Sequence, residues 1–474
     1  MRIVAGLVLA LVLFSTGCKV GPTYTKPVVP APIGYKEADG WKTAQPADAV
    51  LRGRWWELFE DTELSALEER VAVSNESLKA AEARFRQARS LITYSNAARF
   101  PTISTSPGTG GLRSSANRPG FPANLTSESS ANLNLPFDLS YELDLWGKIR
   151  RTIDASRDAA QASAADVETA RLSLQAELAY QYYELRAVEA QQRVLQDTVK
   201  ALENLLQLTT NRYHGGISPK NDVAQATAQL ESTRADLTET GVARAQLEHA
   251  IAVLTGQAPA DFRLSGTPSP LKPPVVPVGI PAQLLERRPD IAAMERRTAE
   301  ANEQIGIAKA AFYPTVRFGL SGGVQGTSML NWFSWPSRMW AVGPTAMQTL
   351  FDAGRRKSVS ESAQAAYDAT VANYRQTTLT AFQQVEDNLS TLRILEKEAE
   401  QQSRAIAAAK ESLALSTNRY QGGVDTYLQV LTAQTIALTS ERRAIDIQRR
   451  QMGASVLLIK ALGGGWDTSQ LPKL

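Results

Sequence analysis

Asn211-Arg212-Tyr213-His214-Gly215-Gly216-Ile217 and Asn418-Arg419-Tyr420-Gln421-Gly422-Gly423-Val424 are nearly the same phrase, written twice in one chain. Each closes a run without Gly or Pro, Lys148 to His214 in the first case and Arg355 to Gln421 in the second, and the runs are equal in length. Both are rich in Ala, Gln, Glu, Arg and Leu, which favour helix. Leu178, Leu185, Val188, Leu195, Val199, Leu202 and Leu206 step by seven, three and four, and so do Phe382, Val385, Leu389, Leu392, Ala399, Ile406, Leu413 and Tyr420. That is the near-heptad stripe of helices packed lengthwise as a coiled coil. At about 1.5 Å per residue each run predicts a helix about 100 Å long, where an average globular helix has ~11–12 residues. The Gly pair stops it, because Gly takes the left-handed C-cap conformation at little cost. Helical pattern resumes over 222–254 and 426–462, so each half predicts a long helical hairpin with a tight turn at its tip. An ordinary bundle with fortuitous periodicity is the alternative, and the double occurrence argues against it.

Upstream, the chain reads as exported. The formal net charge of +3 is too small to suggest nucleic acid, and the mean hydropathy is slightly negative. Nothing is long and apolar enough to span a bilayer as a helix. Residues 1–17 form an export signal: Arg2, the apolar run Ile3–Phe14, then Ser15-Thr16-Gly17. Cys18 follows as the single cysteine, which excludes an internal disulfide. Gly17-Cys18 resembles the bacterial lipoprotein signal, which implies cleavage before Cys18 and an S-diacylglycerol and N-palmitoyl group on it. Lys19 at the next position resembles sorting to the outer membrane. An ordinary signal peptide that contains a Cys is the alternative. Residues 18–50, with Pro22, Pro27, Pro30, Pro32 and Pro46, predict a lipid-anchored Pro-rich tether.

The remainder is a duplication. Trp55-Trp56-Glu57-Leu58-Phe59 opens a helical pattern that continues to about Ala98, and Pro101 ends it. A weak strand fits 102–106, and 107–130 reads as an exposed loop. Over 131–146 the period changes to two: Leu133, Leu135, Phe137, Leu139, Tyr141 and Leu143 alternate with Asn132, Asn134, Pro136, Asp138, Ser140 and Glu142. One lipid-like face and one polar face over this length is the pattern of a transmembrane barrel strand, with a sandwich strand as the alternative. In the second half Arg288-Pro289-Asp290-Ile291 starts a helix that ends at Phe312-Tyr313-Pro314. A strand follows at Val316, Phe318 and Leu320, then a loop with Trp332, Phe333, Trp335 and Trp340, then a poorer strand over 340–350. Those aromatics either sit at a membrane interface or pack the loop. The boundaries read 51–262 for the first repeat, 263–280 for a Pro-rich linker, 281–465 for the second repeat and 466–474 for a C-terminal tail.

Four strands cannot close a barrel, and open edges are not tolerated in lipid. Strands from several chains must then share one barrel: eight strands from two copies, twelve from three.

Taken in order, Gly17-Cys18-Lys19-Val20-Gly21-Pro22, Trp55-Trp56 with Phe59 and Asp61, Leu143-Asp144-Leu145-Trp146-Gly147-Lys148, Leu284-Leu285 with Arg288-Pro289-Asp290-Ile291, and the two tips resemble the TolC-type outer-membrane efflux proteins. Within them the chain is most similar to the lipoprotein subgroup serving resistance-nodulation-division (RND) pumps. The resemblance implies a mainly α fold with membrane β: a homotrimeric, twelve-stranded outer-membrane barrel, four strands per chain, on an α-helical periplasmic tunnel. It implies a periplasmic adaptor protein and an inner-membrane RND transporter as partners. It also implies a periplasmic gate, with Arg212 and Tyr213 at the first tip and Arg419 and Tyr420 at the second. Tyr420 would bond Asp222, and Arg419 would add a salt bridge. Relatives carry acidic residues where this chain has Gln429 and Thr432, and some carry Arg where it has Asp425, which predicts a less acidic constriction.

No phosphate loop, nucleophile elbow or metal spacing accompanies the hairpins, and His214 and His249 are the only histidines. The leading reading is a passive duct without catalysis or cofactor. The runner-up is a periplasmic adaptor lipoprotein, which would carry one hairpin between small β-domains. A cell-envelope hydrolase comes third.

Overall fold

The computed structural model describes residues 19–37, 53–113, 115, 117, 119, 129–265, 271–274, 276 and 284–474. The signal segment, Cys18 and the end of the tether lie outside these residues.

The chain builds a small sheet and, running away from it, two helical hairpins. Helix α1 (Thr62–Ser74) and helix α2 (Glu76–Ala97) precede strands β1 (Thr102–Thr105), β2 (Gly108–Arg113) and β3 (Ser129–Leu143). The first hairpin is α3 (Lys148–His214) and α4 (Lys220–Leu254). One helical turn at Leu284–Arg287 leads to α5 (Pro289–Ala310), β4 (Thr315–Gly326) and β5 (Arg338–Met347), and the second hairpin is α6 (Arg355–Gln421) and α7 (Tyr427–Ala461). Helices α3 and α6 are each continuous over 67 residues, and α4 and α7 over 35. The duplication is therefore visible in the order and lengths of the elements.

Three sequence expectations change in detail. The helix expected from Trp55 to Ala98 is a 3-10 turn, Trp55–Phe59, followed by α1 and α2. Asp61 caps α1 by accepting from Glu63 and Leu64 amides. Asn75 breaks the pattern: its side chain caps α2 by accepting from Leu78, and its amide donates to the Leu254 carbonyl at 2.8 Å. The predicted strand over 131–146 stops at Leu143, because Asp144 turns to cap α3, accepting from the Ile149 and Arg150 amides. The predicted loop at 107–130 gives up Gly108–Arg113 to a strand. Thr105 pairs with Phe137 and Gly108 with Asn134, so β1 and β2 are one strand interrupted at Ser106-Pro107, opposite Leu135-Pro136. Neither proline can donate to the ladder.

The antiparallel sheet runs β1/β2, β3, β4, β5. Its register puts Ile103, Leu139, Leu320 and Val342 in one row, with Tyr141, Phe318 and Pro344 beside it. The opposite face is polar: Glu142 meets Arg317 at 3.2 Å, and Gln325 donates to Asn132. A Cβ on Gly323 would lie 2.1 Å from the Leu135 carbonyl, so β4 approaches β3 there only because it has none. Among the described residues both edges are bare: every residue of β1 and β2 is exposed, and nearly every residue of β5. In the β4–β5 loop Trp332 packs inward, its indole donating to the Val324 carbonyl, while Trp335 of the loop and Trp340 of β5 are exposed.

The main core lies at the waist. Trp55, Tyr182, Tyr183, Leu178, Leu185, Tyr374, Val385, Leu389 and Val456 are buried there, with Phe262 at the end of the first repeat and Val276 from the linker. Each such side chain contributes roughly 1.5–3 kcal/mol.

The tether is ordered where it is described, and it straps α3 to α5. Val20 donates to the Trp146 carbonyl at the junction of sheet and helix. Arg151, buried on α3, donates to the carbonyls of Val20 (2.6 Å) and Pro22 (3.1 Å) and pairs with Glu303 of α5 at 2.7 Å. Gly306 leaves the space for that guanidinium. Lys19 bridges Asp154 and Glu303, and Tyr24 donates to Glu295. Beneath this cluster Asp158 is pushed up to about 7: burial raises it most, Arg296 opposes, and Glu303, Glu295 and Asp154 add to the rise.

Candidate functional site

Both tips close the same way. Gly215 and Ile217 donate to the Asn211 and Arg212 carbonyls; Gly422 and Val424 donate to those of Asn418 and Arg419. Gly216 (φ +72°) and Gly423 (φ +77°) take the left-handed turn. These bonds satisfy the last carbonyls of each long helix, which is why the paired glycines end it there.

Between the tips lies a small core of Ala226, Tyr420, Tyr427 and Val430, with Leu205, Leu206 and Leu208 of α3 against it. Tyr420 is buried, and its ring meets Tyr427 edge-on at 5.9 Å. Its phenol and the Thr209 hydroxyl are hydrogen-bonded at 3.3 Å. The expected Tyr420–Asp222 bond does not occur within the chain: Thr209, four residues before Tyr213, takes the place assigned to Asp222. Asp222 is half-buried; burial raises its pKa, and Arg212 pulls the other way.

Arg212 makes the contact that crosses between hairpins. Its guanidinium lies over the Tyr420 ring, 4.9 Å from the centroid, and donates to the Gln421 carbonyl at 3.1 Å and to Ser218 within its own tip. The sequence placed Arg212 at the tip but gave no signal for this clamp, since its partners are more than two hundred residues away.

Arg419 does form a salt bridge, within its own tip: Nε lies 2.6 Å from Asp425. The ion pair holds the Asp425 carboxyl below the usual range and the guanidinium above it. Gln429 and Thr432 are exposed on α7, and Gln429 lines an open groove with Leu415, Ser416, Arg419 and Asp425. Tyr213, the counterpart of Tyr420, is 39% exposed, and its ring lies 5.6 Å from that of its neighbour His214. Cys18 lies outside the described residues.

Among the described residues no group of three or more His, Cys, Asp or Glu is placed to hold a metal, and no helix is long and apolar enough to cross a membrane. The tip brings together hydrogen bonds, one cation–π contact and apolar packing, a constellation that holds helices together.

Comparison with known proteins agrees with this architecture. The family model described as outer membrane efflux protein matches twice, over residues 67–257 and 280–464. Outer membrane protein OprJ of Pseudomonas aeruginosa is 31% identical over 476 residues, covering 98% of this chain and 96% of that protein. The probable efflux pump outer membrane protein TtgC of Pseudomonas putida is 29% identical over 468 residues, covering 95% and 93%. The solved outer-membrane channel OprN superposes with a TM-score of 0.88 at 28% identity, over 95% of this chain and all of that one. The double match falls on the two structural repeats, and this chain belongs to the outer membrane efflux protein family.

Proposed function

We propose that three copies of this chain close one twelve-stranded barrel in the outer membrane and extend from it a helical tube into the periplasm. The assembly is a passive duct for small molecules, delivered by an inner-membrane RND transporter through a periplasmic adaptor. The observation that carries this reading is the four-row sheet: one apolar face, one polar face and two bare edges, continuous with helices of 67 residues. An apolar sheet face with unpaired edges is stable in lipid only when its edges are paired by other strands. The relatives' names, efflux pump outer membrane protein and outer-membrane channel, accord with it.

The hairpin tips serve as the gate, and no chemistry is assigned to the chain. Cys18 carries an S-diacylglycerol and an N-palmitoyl group in this reading. The strap supports that anchor, because Val20, two residues after Cys18, is tied to the Trp146 carbonyl at the sheet–helix junction.

The test is the mass of the detergent-solubilised particle, by light scattering, after inner and outer membranes are separated. Three copies from the outer-membrane fraction are expected. A stable monomer, or a particle from the inner membrane, refutes the shared barrel and favours the adaptor reading.

A further inference from the structure

The repeats align residue for residue across the tips: Thr209 corresponds to Ser416, Arg212 to Arg419, Tyr213 to Tyr420, Ser218 to Asp425 and Asp222 to Gln429. The correspondence is geometric as well. Arg212 donates through Nε to Ser218, and Arg419 donates through Nε to Asp425. Each Arg is thus held by its own tip in the same way.

The seat that receives Tyr420 is built from Leu208, Thr209 and Arg212 on the first hairpin. Its counterpart on the second hairpin is Leu415, Ser416 and Arg419, and these line the open groove with Asp425 and Gln429. The first seat is covered and the second is bare. Thr209 is fully buried, whereas Leu415 is 56% exposed. The tyrosines are mismatched in the complementary sense: Tyr420 is inserted, at 2% exposure, and Tyr213 is left out, at 39%. One chain therefore holds one filled seat, one empty seat and one unplaced tyrosine.

We propose that Tyr213 of a second copy of this chain fills the groove, its phenol bonding Ser416 and its ring lying beneath Arg419. The proposal rests on the trimeric reading above. Six hairpins alternating around a tube repeat one interface six times. Three of those interfaces lie within chains and are the Tyr420 seat. The other three lie between chains, and the same rotation carries Tyr213 into the neighbour's second hairpin. Heterologous contacts of this kind close a ring, because each surface is complementary to a different surface on the next copy. Besides Ser416 for Thr209 and Gln429 for Asp222, the repeats differ at the residue that holds the guanidinium. Asp425 replaces Ser218 and binds Arg419 by an ion pair, so the guanidinium in the intersubunit seat is held more firmly than Arg212 and remains free on its other face for the incoming ring.

The test places the photo-reactive residue p-benzoylphenylalanine at position 213 of the full-length protein, which is extracted from the outer membrane and sized by light scattering before irradiation. A denaturation-resistant band of two chains is expected, with the cross-link mapped by mass spectrometry to residues 408–419 of the second chain. The same residue at position 420 is expected to cross-link within one chain, near Thr209. A three-copy particle that gives no two-chain band, or a link outside 408–419, overturns the Tyr213 seat and leaves the duct standing. A monomeric particle overturns both.

Discussion

Replacing Arg212 by Ala is expected to loosen the tips more than replacing Tyr420 by Phe. Arg212 reaches from one hairpin to the other, 3.1 Å from the Gln421 carbonyl and 4.9 Å from the centre of the Tyr420 ring. A hydrogen bond from a charged donor contributes ~1.5–3 kcal/mol, and a cation–π contact at a wet site ~0.5–1 kcal/mol. The Gln421 carbonyl faces solvent, so the low end applies and the two sum to about 2 kcal/mol. At ~1.4 kcal/mol per factor of ten, that moves a closed–open equilibrium about 30-fold. Tyr420→Phe removes one neutral bond of 3.3 Å to Thr209, ~0.5–1 kcal/mol, and keeps the ring and its cation. Its shift is less than about tenfold. The assay is the fraction of time that single channels spend in the high-conductance state in a planar bilayer. If Tyr420→Phe matches or exceeds Arg212→Ala, with both proteins assembled, the clamp is not where the free energy lies. If Asp222→Ala opens the channel as far as either, Asp222 and not Thr209 is the working partner of the phenol.

Three other outcomes follow from named contacts. Arg151→Met removes the two bonds from α3 to the Val20 and Pro22 carbonyls, leaving Lys19–Asp154 as the remaining tie to that helix, and leaves Glu303 with Lys19 alone. Breaking such a buried pair costs ~3–5 kcal/mol, so the thermal midpoint is expected to fall and trypsin to cut after Lys19 and Lys36 (Lys26 precedes Pro27 and resists it), as seen by the mass of the released fragment. Asp158 has a raised pKa of about 7, so the folded state holds a proton that the unfolded chain has already lost. Its contribution to stability is greatest below about pH 4, falls as pH rises to about 7 and is flat above. Asp158→Asn is expected to flatten that slope and to raise the denaturation midpoint at alkaline pH, and an unchanged slope refutes the assignment. Gln429→Asp with Thr432→Asp is expected to turn a nearly non-selective channel cation-selective, read from the reversal potential across a salt gradient. A parent channel that is already strongly cation-selective shows that carboxylates elsewhere set the selectivity.

The long helices were legible because nothing interrupts them: 67 residues without Gly or Pro, a seven-residue stripe and a Gly pair at the end leave one local answer. The sheet was legible where apolar and polar residues alternate, at β3 and β4. It was hidden where they do not, because Gly108–Arg113 has neither β-branched runs nor an apolar face, and only its pairing with β3 makes it a strand. Asn75 lay within a good helical pattern, and its break depends on the Leu254 carbonyl that its amide caps. The tip was half legible. The words Arg-Tyr-x-Gly-Gly mark both tips, but the acceptor for Tyr420, Asp222, was chosen by resemblance, and within the chain the phenol bonds Thr209. The repeat itself held a better signal. Shifting one tip onto the other pairs Thr209 with Ser416, two hydroxyls at one position.

The bare edges of the sheet also constrain the order of assembly in the proposed trimer. Each strand edge left in lipid costs several kcal/mol for every unpaired backbone group. The β5 edge spans ten residues and the β1/β2 edge is of similar length, so a lone chain inserted in the membrane carries a penalty no core of this size offsets. In water the same edges are hydrated, and the waist core of each chain forms without them. The chains must therefore meet before or while the strands enter the bilayer, with the helices as the first meeting surface. A chain with Gly323→Ala separates the two steps. Its Cβ would meet the Leu135 carbonyl and part β3 from β4, while the hairpins, which pack elsewhere, keep their contacts. Such a protein is expected to accumulate as a trimer held at the membrane by the Cys18 lipid alone, its strands outside the bilayer. A monomer instead would show that the sheet, and not the helices, brings the chains together.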